Sequence, residues 1–115
     1  MNLSNNFQKY AINQVWINDP YCAKCGSNYC LAVHHIYGRK GEFNKSIYNG
    51  ILLCLFCHKE ADCFNTDEQG NEFRIHLLSI TIQMISRSTY IIIDRDRMFL
   101  KYHREDFDKA VELIK

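Results

Sequence analysis

The chain carries Cys22-Ala-Lys-Cys25-Gly and Cys54-Leu-Phe-Cys57-His, two Cys-x-x-Cys pairs 28 residues apart within 115 residues. A two-residue gap lets a turn aim both sulfurs of a pair at one point. Two such pairs separated by a loop are what a tetrahedral four-thiolate zinc site requires. The constraint is severe, because two distant segments must meet at one ion and everything between them must leave and return within reach of it. Buried free thiols are the plain alternative, suited to an isolated cysteine and poorly suited to two evenly spaced pairs. Cys30 and Cys63 lack a partner at such spacing and are expected to be ordinary buried thiols.

The first 20 residues lack the basic start, apolar run and small-residue cleavage site of a secretory signal, so a cytoplasmic setting is expected. There thiols stay reduced and serve as ligands rather than disulfides. No apolar run has the length to cross a bilayer, so no membrane partner is expected. The net charge of +1 neither demands nor excludes a nucleic-acid partner, since local patches matter more than the sum. Arg39, Lys40 and Lys45 form one such local group, with a solvated loop as the plain alternative.

With one proline, no low-complexity tract and no internal repeat, residues 1–115 are expected to form a single domain, its core near 15–65 and an extension near 66–115. Ser4 or Asn5 can cap a first helix carrying Phe7, Ala11, Val15 and Trp16, which Asn18-Asp19-Pro20 ends. "LAVHHI" and "GILLCL" are short apolar runs bounded by turn residues and read as strands. "FCHKEADCF" contains no breaker and starts a helix. From Glu72 to Ser86 the apolar residues fit both helical and alternating periods, and length favours a helix. "YIIID" and "MFLKYH" read as a hairpin joined through Asp94–Arg97, and "DFDKAVELIK" as a closing amphipathic helix. The fold class is thus α+β, with a helix/hairpin/helix extension.

A closed four-cysteine zinc has no open position, so any chemistry lies elsewhere. Between the two pairs stand His34 and His35, and His58 follows the last cysteine. If the two strands pair antiparallel and the helix packs across them, His58 can face one histidine of the pair and form part of a metal site. Neighbours on a strand point to opposite faces, so the other histidine is expected to project elsewhere and handle protons. Asp62, four residues after His58 and on the same helix face, is a candidate third ligand or a carboxylate behind the ligands. Such a site keeps positions open and suits a phosphodiester, with Arg39, Lys40 and Lys45 as candidate contacts to backbone phosphates.

Cys22-x-x-Cys25-Gly, "VHHI", Asn49 and "CLFCH" together resemble the zinc-stabilised HNH endonuclease family of the ββα-metal fold, over roughly residues 15–63. The resemblance implies a metal-dependent endonuclease that hydrolyses DNA phosphodiester bonds. It implies His34 and His58 as ligands of a catalytic divalent metal, His35 as the general base, and Asn49 as the residue that braces the loop. It gives Cys22, Cys25, Cys54 and Cys57 to a structural zinc. Read from local chemistry alone, Asn49 is a turn asparagine before Gly50. Histidine stands at position 34 where the family often has aspartate, a softer donor that makes zinc, nickel or manganese easier partners than magnesium. By the same resemblance the free-standing form suits a phage or mobile-element enzyme. DNA is the expected partner and RNA stays open. The basic residues of the extension suit a longer DNA contact or a homodimer surface. The competing class is a non-catalytic zinc module that binds nucleic acid or protein, which needs the cysteines but neither His34 nor His35.

Overall fold

A computed structural model describes residues 14–16, 20–63 and 68–115. Strand β1 (Ala32–His35) pairs antiparallel with β2 (Gly50–Leu53), setting Val33 opposite Leu52, His34 opposite Ile51 and His35 opposite Gly50. Two short 3-10 turns, Phe43–Lys45 and Ile47–Asn49, lie in the loop between the strands. Helix α1 (Leu55–Cys63) follows β2 directly, and α2 (Glu68–Ser86), α3 (Asp94–Tyr102) and α4 (Arg104–Leu113) complete the order. The result is an α+β fold with a ββα unit formed by β1, β2 and α1.

Every residue of β2 is buried, which explains why Ile51, Leu52 and Leu53 form a continuous apolar run rather than an alternating one. Helix α2 crosses this layer and packs along α4. Its buried residues Ile75, Leu78 and Ile85 recur at three- and seven-residue steps, while Leu77 and Thr81 widen the buried face. That breadth is why the sequence also fitted an alternating pattern. The buried Thr81 hydroxyl donates to the Leu77 carbonyl at 3.1 Å and so is paired within the crossing. Among the described residues no helix is long and apolar enough to cross a membrane.

The first expected helix is described only at 14–16, which are helical with Val15 and Trp16 buried; Phe7 and Ala11 lie outside the described residues. The expected hairpin is corrected. Residues 89–93 join no sheet among the described residues, and 94–102 are helix α3. Asp94 and Asp96 stand in its first turn, where carboxylates favour the positive end of the helix dipole. The Asp96 carboxylate accepts from the Ile93 N–H at 3.0 Å, and Asp94 pairs with Arg97 one turn on at 2.8 Å. Phe99 then falls on the buried face, against Tyr37 and Tyr48. Cys30 and Cys63 are also corrected, since both are exposed. Cys30 sits in a bend before β1 with a left-handed φ of 46°, and Cys63 ends α1, so neither lies on an inward face.

His103, between α3 and α4, stacks on the Tyr37 ring with centroids 3.8 Å apart. Burial holds its pKa below the ordinary value, against the pull of Asp106. The unfolded chain accepts a proton near pH 6.5 that the folded protein resists. Stability present above that pH therefore falls as the pH drops through it toward the lowered folded value. His103→Phe keeps a ring and removes the titration, so urea midpoints taken between about pH 7.5 and about pH 5 should fall less for the variant. Equal losses in the two proteins would show that His103 carries none of the acid sensitivity.

Candidate functional site

The sulfurs of Cys22, Cys25, Cys54 and Cys57 lie within 4.8 Å of one another, and Cys25 Sγ is 3.6 Å from Cys54 Sγ. Four zinc–sulfur bonds of about 2.3 Å set tetrahedral sulfur separations of about 3.8 Å, so the cluster fits such an ion. The glycine after Cys25 has a structural reason. Gly26 takes a φ of 81°, and its N–H donates to the Cys22 carbonyl at 2.9 Å while the Cys22 N–H donates to Ser27 O at 2.7 Å. The Ala23 N–H then joins this turn to Leu52 O of β2 at 2.8 Å. Burial pushes the Cys22 thiol up, but the amides of Cys25, Cys54 and Lys24 outweigh it and draw it down to about 6. Burial, followed by the neighbouring thiols, pushes Cys57 up. A lowered thiol supplies thiolate, the form that binds metal.

The second cluster is built on the strand pair and α1. Pairing of His34 with Ile51 brings β1 against α1, where His58 and Asp62 stand one turn apart. The His34 and His58 rings meet edge to face with centroids 5.0 Å apart. Asp62 oxygens lie 3.3 Å from His58 Nδ1 and 3.9 Å from His34 Nδ1. One ligand atom from each of the three lies within 4.8 Å of the others. Donors about 2.1 Å from one tetrahedral ion sit about 3.4 Å apart, so the three residues would draw closer together to hold a divalent ion.

These residues line a cleft of about 150 Å³ together with His35, Gly38 and Arg39. A larger cavity of about 590 Å³ lies between the first cysteine turn and α2, but its lining has no comparable cluster of donors. His35 was expected to project away from its neighbour. It lines the same cleft because β1 ends there and the chain turns through Ile36 and Tyr37, while its ring stays outside the group of His34, His58 and Asp62. Burial, followed by the charge of His58, lowers the His34 pKa to about 4 against Asp62. Burial, followed by Arg39, His34 and His58, lowers His35 to about 4 as well. Both imidazoles are therefore neutral at pH 7.

Asn49 is fully buried beside the cleft. Its Nδ2 donates to Gly38 O at 2.9 Å and to Asn44 O at 2.8 Å, and its Oδ1 accepts from the Tyr37 N–H at 2.8 Å. Its carbonyl accepts from the Ile36 N–H at 2.9 Å and so extends the strand pairing by one bond. Of the three expected basic residues only Arg39 lines the cleft. Lys40 is exposed beside it, and Lys45 is paired with Glu42 at 3.1 Å, which also binds Arg95. Gly38 and Asn44 were not singled out from sequence. The available signal for Gly38 was a glycine three residues past the strand end, where the chain needs its φ of 82°.

The family model that matches, over residues 22–62, is that of the HNH endonucleases. The match spans 41 of the 115 residues, and over that segment the chain is similar to the HNH endonucleases. No curated protein and no solved structure matches the chain. The HNH segment runs from the first knuckle cysteine to Asp62, so it contains both candidate metal clusters. Helices α2, α3 and α4 lie outside it.

The purified chain should carry about one zinc per molecule on the four thiolates, as structural sites do. Cys57→Ser, or a strong chelator, should remove that zinc and abolish cooperative thermal unfolding, because binding free energy at such a site is folding free energy. Metal analysis that finds no zinc in folded wild type would contradict the assignment.

Proposed function

We propose that the chain is a metal-dependent HNH endonuclease that hydrolyses DNA phosphodiester bonds. The observation that carries this reading is one cleft that gathers His34, His58 and Asp62 as a donor set with a neutral His35 and the Arg39 guanidinium on its wall. In this reading Cys22, Cys25, Cys54 and Cys57 hold a structural zinc and take no part in the chemistry.

His34, His58 and Asp62 would hold a divalent ion, which would supply Lewis acidity toward the phosphodiester. Zinc, nickel or manganese suit its two imidazoles better than magnesium does. His35 accepts a proton on a ring nitrogen from the water that attacks phosphorus. The pKa of about 4 keeps that ring unprotonated at neutral pH, at the cost of basicity, and the negative phosphodiester entering the cleft favours the charged form that proton transfer creates. Arg39 offers a paired donor to the phosphate, and Lys40 to the next one along the strand. Asn49 touches no reacting atom. It is a positioning residue that holds the loop following His35.

Supercoiled plasmid should be nicked or linearised by wild type with at least one of magnesium, manganese, nickel or zinc added. His35→Ala, with zinc content and fold intact, should lose about 10²- to 10⁴-fold in rate, the usual worth of a positioned general base. Wild type that binds nucleic acid but cleaves none with any metal would replace this reading with a non-catalytic zinc module. Equal activity in the variant would remove His35 from the role of base.

A further inference from the structure

Helix α3 and the head of α4 lie outside the HNH segment, yet they grip the cleft loop at two points. At one, the fully buried Asp96 accepts from the Ser46 hydroxyl at 2.6 Å, from the Tyr90 hydroxyl at 2.6 Å and from the Ile93 N–H at 3.0 Å. Ser46 caps the turn that ends in Asn49. Its Oγ accepts from the Tyr48 N–H at 3.2 Å and its carbonyl from the Asn49 N–H at 3.0 Å. Asn49 in turn holds Tyr37, Gly38 and Asn44 through its carboxamide. An unbroken run of hydrogen bonds thus leads from the Asp96 carboxylate to the residues flanking Arg39.

At the second point the Tyr37 hydroxyl donates to Asp106 Oδ2 at 2.9 Å, and its ring stacks on His103. Burial, with Asp106, holds the Tyr37 phenol well above the usual range, so it stays a donor. His103 Nε2 lies 3.5 Å from Asn44 Oδ1, and the Tyr102 ring packs on Phe43 at 4.6 Å. Tyr37 is therefore fixed through its amide by Asn49 and through its phenol by the extension. The Gly38 N–H donates back to His35 O at 3.2 Å, which ties the gripped segment to the proposed base. A loop with two left-handed glycines, Gly38 and Gly41, has wide conformational freedom, and anchoring it from a separate element pre-organises it.

We propose that α3 and the head of α4 are a clamp on the cleft loop, with Asp96 a positioning residue that acts through Ser46 and Asn49 on Arg39 and His35. The catalytic consequence rests on the nuclease reading; the clamp does not. Asp96 serves two hydroxyls, and only Ser46 leads to the cleft. Asp96→Asn, Ser46→Ala and Tyr90→Phe in the full zinc-loaded chain separate the two, studied well below each melting midpoint. Amide exchange at Tyr37 and Asn49 should rise about tenfold or more in the Asp96 and Ser46 variants and stay within about twofold in Tyr90→Phe. The Ala23 and His58 amides, whose bonds lie outside the loop, should hold in all three. Uniform acceleration across all variants and all amides, or no acceleration at Tyr37 and Asn49, overturns the clamp. With an active wild type, the Asp96 and Ser46 variants should lose about tenfold in kcat with KM within about twofold, and Tyr90→Phe should keep both. Unchanged kcat despite faster exchange overturns the positioning role. An inert wild type fails the nuclease reading and leaves exchange to decide the clamp.

Discussion

At the centre of the loop between β1 and β2 is the buried carboxamide of Asn49, whose three hydrogen bonds go to the backbone of Tyr37, Gly38 and Asn44. Fourteen residues separate the strands, and neither 3-10 turn among them exceeds three residues, so the loop has few ladder bonds of its own. Without the carboxamide, two carbonyls and one amide lose a buried partner, at about 1–3 kcal/mol for each group left unpaired. The strand register depends on the same residue, because its carbonyl accepts from Ile36 just past His35. That register brings His34 opposite Ile51 and within reach of α1.

The two candidate metal clusters are coupled through very little chain. Cys54 separates β2 from α1, and the His58 N–H donates to the Cys54 carbonyl at 2.9 Å as the helix begins. Any ion that fixes Cys54 and Cys57 therefore also fixes the orientation from which His58 and Asp62 leave the helix. In the proposed mechanism this is how a metal without chemistry of its own contributes to a site that has it. The large apolar face comes from β2 and α2, whose burial stabilises the unit without touching the cleft.

What the sequence disclosed depended on range. The cysteine pairs were legible because a turn two residues wide is a local matter, and the strands because their apolar runs end in turn residues. The pairing of His58 with Asp62 followed from helical spacing alone. Asn49 read locally as a turn asparagine, and only the family resemblance suggested more; its partners, 5 to 12 residues away, lie beyond what a local turn signal covers. The stretch from Tyr90 to His103 was misread for a similar reason. Its β-prone residues alternate, yet Asp96, Phe99 and His103 also recur at helical steps. The helix is favoured by Asp96 reaching Ser46 and by Phe99 packing on Tyr37 and Tyr48, contacts between residues 50 or more positions apart in the chain. Strand alternation separated His35 from the donor set of His34, His58 and Asp62, but it gave no sign that both histidines line one cleft.

The claim on which the account turns is that adjacent histidines do different work, His34 as a ligand and His35 as a base outside the donor set. Cobalt titration of the metal-free chain tests it directly, since thiolate and imidazole sites differ in absorption. Two cobalt ions per chain are expected, one with the strong charge-transfer band of sulfur ligation and one without. His58→Ala should lose only the second ion, and His35→Ala should keep both. Loss of the second ion in His35→Ala, or its retention in His58→Ala, would contradict the division of labour.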